Sequence, residues 1–292
     1  MKKKAFIFII VAGLLWGSSG VFVNLLSPYG FTSMQMTAVR GCISFLGLSG
    51  YALLFDRRMF AIKPSRIIVY ALVGILLYST AVLYYTAIGM TSIPTAVVLM
   101  YTSPIYVTVF STLFLGEKLT LPKAGAITLM LVGSALVSGI VGDFKADFLG
   151  VVIGLLSGMI YAAYNIVAKI LISKGDNPKS VSLYSFLFMA LTASFFSDPT
   201  NLVARAAQKP AVTIPLLIGL GICTYVVPFF LYNLSLKSLS AGTASALGVI
   251  EPMAATIYSI VIFHDIPDIY SIIGIILVLI SVVLIGFIEN EE

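Results

Sequence analysis

The chain has 292 residues, of which 60% are hydrophobic and 10% charged; a soluble domain carries about 25% charged residues, so this composition excludes an ordinary soluble globule. Together with a mean hydropathy of +1.08, it predicts an all-α polytopic membrane protein, with the lipid bilayer as its solvent. The single histidine excludes a His-based metal cage made by this chain alone, and the two cysteines, Cys42 and Cys223, lie in apolar stretches and offer no disulfide framework. The basic residues behind the net charge of +5 are scattered over short connectors, which argues against a nucleic-acid partner.

The predicted elements begin at the N-terminus, where three lysines precede an apolar run that continues to about Leu26. The run is longer than the core of a signal peptide and lacks an A-x-A-like cleavage site, so we expect a retained first helix. Further runs of roughly 20 apolar residues follow, and the seventh is short and rich in serine. The predicted helices lie near 5–26, 32–55, 67–90, 94–115, 121–141, 148–172, 181–197, 212–236, 241–264 and 268–288.

Basic residues in the connectors predict how these ten helices are oriented. Cytoplasmic connectors of membrane proteins carry an excess of lysine and arginine. With the N-terminus inside, the cytoplasmic side receives Lys2, Lys3, Lys4, Arg57, Arg58, Lys63, Arg66, Lys118, Lys123, Lys169, Lys174, Lys179 and Lys237, whereas the outside receives Lys145, Arg205 and Lys209. We therefore predict a multi-pass protein of the cell membrane with both termini in the cytoplasm.

The sequence also contains an internal repeat. Residues 83–117 align without a gap onto 231–265, with nine identities in 35 positions and a carboxylate pair, Glu117 and Asp265, at the end. A second match aligns 13–24 with 154–165. Five helices per repeat is an odd number, so the two copies must cross the membrane in opposite directions. The predicted fold is thus ten transmembrane helices in two inverted five-helix repeats, at 1–141 and 148–288, an arrangement typical of secondary transporters.

An ionisable residue and a proline stand side by side in the middle of the ninth predicted helix, at Glu251 and Pro252. The repeat equivalent of this proline, Pro104, lies in the middle of the fourth. Proline removes a backbone donor, and the carbonyl it frees must be satisfied by protein or by water. The two prolines therefore predict a polar cavity between these helices, or else two harmless kinks. In such a cavity Glu251 would carry a proton or pair with a cation; the alternative is a structural ion pair.

Arg40 is a second charged residue within a predicted helix, about 5 Å from its centre at roughly 1.5 Å per residue. It would bind a substrate carboxylate or hold Glu251, or it would cap carbonyls of a neighbouring helix. Several tyrosines also fall near mid-depth, where a hydroxyl needs a hydrogen-bond partner, although each could simply fill a packing space. The candidate substrate-binding residues are Trp16, Arg40, Tyr78, Tyr101, Pro104, Tyr161, Asn165, Tyr225, Glu251 and Pro252.

Glycines spaced by four predict close helix packing in the first and sixth helices. They are Gly13 and Gly17 in the first helix, and Gly150, Gly154 and Gly158 in the sixth. The repeat match places Gly13 and Gly17 at positions equivalent to Gly154 and Gly158. We expect these glycines to serve packing in both repeats.

Together these features resemble the EamA family of the drug/metabolite transporter superfamily. The resemblance rests on the ten-helix repeat pattern, on "LLWGSS", on an arginine in the second helix, and on "YTSPIYVTVFSTLFLGEKLT" and "IEPMAATIYSIVIFHD". It implies a secondary transporter that moves small metabolites, often outward, by alternating access. The matching residues are Trp16, Gly17, Arg40, Pro104, Gly116, Glu117, Glu251 and Pro252. The chain departs from the family at His264–Asp265, where Gly-Glu is usual.

We therefore expect an exporter of a small organic metabolite such as an amino acid, driven by protons through Glu251. The alternatives are a facilitative channel or uniporter for small polar solutes and an intramembrane enzyme. The sequence lacks a ring of charges, a nucleophile with a base, and a nucleotide-binding motif. We accordingly expect no enzymatic activity and no cofactor. The expected partners are lipid, a small-molecule substrate and protons, with the protein a monomer or homodimer.

Overall fold

The computed structural model describes residues 2–139, 147–264 and 266–291, and every regular element within these ranges is a helix. Lys145 and Asp265, which the topology and repeat predictions used, lie outside the described residues. The N-terminal half contains α1 (Lys2–Gly17), α2 (Ser19–Leu26), α3 (Ser33–Phe55), α4 (Ile67–Met90), α5 (Ile93–Met100), α6 (Ser103–Leu115) and α7 (Leu121–Val137). The C-terminal half contains α8 (Phe148–Ser173), α9 (Pro178–Ser194), α10 (Pro199–Ala206), α11 (Pro210–Gly221), α12 (Val227–Ser235), α13 (Ala241–Gly248), α14 (Glu251–Tyr258) and α15 (Ile269–Glu291).

Among the described residues, eight helical stretches are long and apolar enough to cross a bilayer. A ninth is obtained if α9 and α10, which meet at a bend of 99°, are one span. The fifth predicted helix is shorter than expected, since α7 covers about 25 Å of a hydrocarbon core of roughly 30 Å. The fold is therefore that of a polytopic membrane protein, and eight of the ten predicted spans pass the length test on their own.

Two of the spans are broken near their middle, and the breaks fall at equivalent positions of the repeat. The first break separates α5 from α6 at Tyr101 and Thr102, and the second separates α13 from α14 at Val249 and Ile250. A serine precedes each of α5 and α13 and caps its first turn, since Ser92 Oγ accepts from Thr95 N at 3.3 Å and Ser240 Oγ accepts from Thr243 N at 3.2 Å. The equivalence thus extends from sequence to local structure.

The ends of these two spans also match. Gly116, which follows α6, has a left-handed backbone with φ of 68°. Its repeat equivalent, His264, is left-handed as well, with φ of 59°, although it carries a side chain. Non-glycine residues adopt this conformation infrequently. The same backbone turn is therefore made by glycine in one half and by histidine in the other.

Two pairs of helices at equivalent positions in the two halves pack against each other antiparallel. In the pair of α7 and α15, Gly133 faces Val278 while Val137 faces Gly274. The pair of α3 and α9 runs the same way, because Gly41 faces Ala190 at one level and Asp56 accepts from Lys179 Nζ at 2.8 Å at another. The Lys179 hydrogen bond holds the pKa of the Asp56 carboxyl below its usual value. In these two pairs the helices thus point in opposite directions.

The predicted close packing of the glycines is confirmed, and the structure shows which residues they contact. Gly13 and Gly17 of α1 lie against Ile250 and Ala254. In the other half, Gly154 and Gly158 of α8 lie against α5 and the α5–α6 break. Each set therefore packs along the broken span of the opposite half. This contact brings α1 and α8 to the two breaks.

Close backbone packing between α7 and α15 generates a stability prediction. A Cβ atom on Gly133 would lie 2.9 Å from the Gly274 carbonyl oxygen and 3.0 Å from Val278 N, whereas a Cβ on Gly125 of the same helix would meet nothing within 4 Å. We expect Gly133→Ala to cost about 1–3 kcal/mol through overpacking, seen as a lower melting temperature of the purified protein. Gly125→Ala is the matched control and should leave the melting temperature unchanged or raise it. Equal effects of the two substitutions would contradict this packing.

Candidate functional site

The site is centred on the break between α13 and α14. Glu251 is the first residue of α14 and lies within one residue of the middle of the span Ala241–Phe263. Pro252 stands in the first turn of α14, where its missing N–H has no helical partner to lose, and Pro104 occupies the same position in α6. The two prolines therefore begin new helices and are not kinks within continuous ones.

Threonine side chains satisfy carbonyls at both prolines. Thr108 Oγ1 donates to the carbonyl oxygen of Pro104 at 2.7 Å, and Thr256 Oγ1 donates to that of Pro252 at 3.1 Å. Hydrocarbon offers no such donors, so groups freed by a break need partners within the protein or in a wet cavity. These bonds lie within α6 and α14 and do not reach the carbonyls that the prolines leave without a donor, so the polar cavity stays a prediction.

The Glu251 side chain is partly exposed and faces the opposite break. Its carboxylate lies next to the hydroxyl of Tyr101, the first residue of the α5–α6 break. Gly17 of α1 packs against the backbone of Glu251 on another side. The two breaks are therefore joined at mid-depth by a tyrosine–carboxylate contact.

Arg40 lies close to this contact and is almost fully buried, with 5% of its surface exposed. Nη1 donates to the Tyr85 hydroxyl oxygen at 3.1 Å and Nη2 donates to Ser19 Oγ at 2.8 Å, while Cζ lies 5.5 Å from the centroid of the Tyr225 ring. Within the described residues Nε has no hydrogen-bond partner. A buried guanidinium is thus held by neutral groups, with its Nε–H left without a partner in the described part of the chain.

Arg40 and Glu251 influence each other without forming a direct ion pair. The arginine lies near enough for its charge to act on the Glu251 carboxyl, yet no salt bridge joins the two side chains at 4.0 Å or less within the described part of the chain. An unpaired buried charge is costly in a low-dielectric medium. Within the described residues, neither group is therefore neutralised by an ion pair with the other.

A wall of aromatic rings continues from the site. Tyr161 stacks on Tyr164 with centroids 5.8 Å apart, and Phe229 contacts Tyr225 at 5.1 Å. Trp16 packs edge-on against the same Phe229 at 5.1 Å. Among the candidate residues, the structure thus brings Trp16 and Tyr225 into one cluster with Arg40, and Tyr161 onto its edge.

Two further candidate residues make other contacts. The ring of Tyr78 stacks on Phe196 with centroids 5.8 Å apart. Asn165 is fully buried; its Nδ2 donates to the Tyr161 carbonyl oxygen at 2.8 Å, and its Oδ1 lacks a partner among the described residues. Asn165 therefore acts in the structure as a packing and helix contact next to Tyr161.

Sequence reasoning missed the two groups that hold Arg40. Tyr85 follows Tyr84 in α4, and Ser19 stands in the "LLWGSSG" stretch of the first span. Their position in otherwise apolar runs made them resemble packing residues. The repeat gave one indication that this stretch of α4 matters, because Tyr84, which precedes Tyr85, is identical to its repeat equivalent Tyr232. No group of three or more metal-ligating side chains lies in the described ranges.

Comparison with known proteins identifies the family. The model of the EamA-like transporter family matches this chain twice, over residues 3–139 and 148–287. The chain therefore belongs to the EamA family, which is part of the drug/metabolite transporter superfamily. Membership makes it a membrane transporter protein by class, in agreement with its apolar helices.

Individual relatives agree with this assignment. An uncharacterized transporter from Archaeoglobus fulgidus is 25% identical, with 91% of this chain and 90% of the relative covered. An uncharacterized transporter from Clostridium kluyveri is 23% identical, with coverage of 99% and 95%. A crystal structure of a protein that is 16% identical superposes with a TM-score of 0.79 over 100% of this chain and 99% of the other. That last likeness concerns the fold alone.

The contacts of Arg40 lead to a second prediction. Tyr85→Phe removes one acceptor of a buried charged donor, which we expect to cost about 1.5–3 kcal/mol in the free energy of unfolding. Tyr84→Phe, on the adjacent residue of α4, retains both hydrogen bonds of Arg40 and is the matched control. Thermal unfolding of the purified variants measures the difference. If both variants unfold at the wild-type temperature, Tyr85 does not hold the guanidinium.

Proposed function

We propose that the protein is a secondary active transporter that exports a small organic metabolite, such as an amino acid, by alternating access around a midplane cavity. The observation that carries the proposal is the meeting of Arg40, Tyr101 and Glu251 where two broken spans face each other. Charged groups at this depth are costly and usually mark a substrate or ion pathway. Broken helices at the interface of two repeats are typical of transporter binding sites.

The proposal includes ten transmembrane helices in two inverted repeats. The double match of the family model, at 3–139 and 148–287, supports repeats close to the expected 1–141 and 148–288. The antiparallel packing of α7 on α15 and of α3 on α9 supports their inversion. In this arrangement α7 counts as the fifth span and α9 as the seventh.

The chemistry of the site favours a zwitterion as the substrate. The free Nε of Arg40 can donate to a carboxylate, and the Glu251 carboxylate can accept from an ammonium group. The ring of Tyr225 and its aromatic neighbours add surface that attracts a cation or an apolar side chain. A substrate that spans both charges would neutralise the site as it enters.

Protonation of Glu251 provides a way to couple transport to protons. A carboxyl that faces both the substrate and Tyr101 can hold either a proton or the substrate ammonium. Exchange of one for the other would link the two movements, and rocking of one repeat against the other would expose the site to each side in turn. Export is the direction that the family resemblance implies.

We further propose that the protein lies in the cell membrane with both termini in the cytoplasm, as a monomer or homodimer. The distribution of basic residues supports this orientation. The connectors with Arg57, Arg66 and Lys118 then face the cytoplasm, and the connector with Arg205 and Lys209 faces outward.

Transport measurements in proteoliposomes test the role of Glu251. We expect Glu251→Gln to abolish the pH dependence of substrate transport and to lower its rate at least ten-fold, because the amide cannot exchange a proton. Asp198→Asn is the matched control: this exposed residue caps Asn201 N through a side-chain oxygen that asparagine retains. It should transport as the wild type does.

Unchanged pH-dependent transport in Glu251→Gln would contradict proton coupling through this residue. Counterflow separates the proposed carrier from a channel, since a preloaded substrate stimulates uptake only in a carrier. Absence of saturation and of counterflow would favour the channel.

Trp16 is the single tryptophan of the sequence, and it offers a direct reading of ligand binding. Its indole packs on Phe229 and on Tyr232, at centroid distances of 5.1 Å and 5.7 Å, beside the candidate site. In a screen of amino acids, nucleosides and quaternary amines, we expect a zwitterion to change the intrinsic tryptophan fluorescence saturably, and Arg40→Gln to weaken this response at least ten-fold. A saturable response to quaternary amines alone, unaffected in Arg40→Gln, would contradict the carboxylate role of Arg40.

A further inference from the structure

A cleft of about 450 Å³ opens between α2 and the helix that follows Glu251. Its lining includes Gly20, Val21 and Asn24 on one side, and Thr256, Ser259 and Phe263 on the other. A Cβ atom on Gly20 would meet nothing within 4 Å, which agrees with open space at its centre. The cleft closes at Gly17, which packs on the Glu251 backbone. It therefore starts next to the candidate site and runs along the outer half of the first and ninth predicted spans.

The repeat contains an equivalent contact, which we call the α8–α6 seam, defined by Gly158, Tyr161, Ala162 and Asn165 on α8 and by Val107, Thr108 and Ser111 on α6. These residues align with the cleft residues Gly17, Gly20, Val21, Asn24, Ala255, Thr256 and Ser259. The seam is tightly packed.

Burial distinguishes the seam from the cleft. Ala162, Asn165 and Val107 are 0% exposed and Ser111 is 1% exposed. By contrast, Gly20 and Asn24 of the cleft are exposed and Ser259 is partly exposed. The same surface of the repeat is thus closed in one copy and open in the other.

An apolar cluster accounts for part of this difference. Tyr161, at the position equivalent to Gly20, stacks on Tyr164 of its own helix. Val107 and Ala162 also join a buried apolar cluster that includes Ala241 of α13. The seam is therefore filled by side chains where the cleft has none.

Polar contacts reinforce closure at the end of the molecule where the seam lies. The Glu117 carboxylate accepts from Ala241 N at 2.8 Å and from Gly242 N at 3.4 Å. Lys123 Nζ donates to Ser240 Oγ at 2.9 Å, and Lys169 Nζ donates to two carbonyl oxygens of the α12–α13 connector at 2.7 and 2.6 Å. The repeat position of Lys123 is Ser271, and gap-free extension places Pro28 opposite Lys169. These lysines therefore have no counterparts at the open end.

We propose that the α2–α14 cleft is the open half of the translocation pathway and that the α8–α6 seam is its closed counterpart, which opens when the protein reverses its orientation. The occupant of the cleft is a small polar molecule with no excess charge, moving with water, because the lining has hydroxyl and amide groups and no ionised side chain. This assignment rests on the proposed transport function, and it names the residues that form each half of the path.

The test compares two serines at equivalent positions, Ser259 in the cleft and Ser111 in the seam. Each is replaced by cysteine in a background in which Cys42 and Cys223 are serine. The variants are reconstituted in liposomes without substrate and treated with a charged, membrane-impermeant methanethiosulfonate reagent. We expect Ser259→Cys to react at least ten-fold faster than Ser111→Cys. Thiol titration after denaturation checks that both variants carry one cysteine.

Two results would overturn the proposal. One is equal labelling of the two cysteines, or faster labelling of Ser111→Cys. The other is reaction of Ser259→Cys with an apolar maleimide but not with the charged reagent, which would make the cleft a lipid-filled groove. Both readings are independent of transport, so a protein that labels as expected but transports nothing would refute the proposed function and leave the cleft assignment standing.

A second variant fills the open space at Gly20 with a bulky side chain. We expect Gly20→Tyr to slow labelling of Ser259→Cys at least ten-fold while leaving the melting temperature unchanged. Gly89→Tyr, at a position that also has open space around it and lies outside the cleft lining, is the control. Unimpeded labelling in Gly20→Tyr would show that Gly20 does not border the path to Ser259.

Discussion

A span broken in the middle of a bilayer must satisfy its own backbone, because hydrocarbon offers no hydrogen-bond partners. This constraint governs the centre of the protein. The broken spans begin again at Ser103 and Glu251, each followed by a proline that needs no N–H partner, and threonines one turn later bond the proline carbonyls. Once two such breaks face each other, a carboxylate and a tyrosine can meet at mid-depth, and a buried arginine can stand beside them.

The two halves share an arrangement of helices, but they differ in how tightly two equivalent pairs of helices pack. Two pairs of equivalent helices, α7 with α15 and α3 with α9, pack antiparallel. Equivalent serines cap α5 and α13, and both broken spans end in a left-handed residue. They differ in the contact between α2 and α14, which is open, and the equivalent contact between α8 and α6, which is packed. Val107 and Ala162 are packed in a buried cluster, whereas Gly20 and Asn24 are exposed. Glu117 binds the start of α13, and Lys123 and Lys169 bind the connector before it. In a carrier that works by alternating access, a difference of this kind between two equivalent repeats makes one side of the membrane accessible and the other closed.

Periodicity and composition predicted the positions of the helices, and the repeat predicted which of them are equivalent. Glu251, Arg40 and the prolines stood out because polar or helix-breaking residues are rare in such runs. The partners of Arg40 did not, since Tyr85 and Ser19 are common residues whose role depends on a contact between three helices. Depth alone also does not tell which face of a helix meets the cavity, so the role of Tyr78 stays a prediction. The π-helical turns at Ile222–Val226 and Ser259–Phe263 carry no pattern that single-sequence reasoning detects.

The central claim is that Arg40, Tyr101 and Glu251 enclose a hydrated site between oppositely directed halves. A cryo-electron microscopy structure in lipid nanodiscs, determined without substrate and detailed enough to show bound water, tests it most directly. We expect this structure to show ordered water between the Glu251 carboxyl and Arg40 Nε, with α7 antiparallel to α15. A dry contact at Glu251 sealed by apolar side chains, or equivalent helices that run parallel, would contradict it.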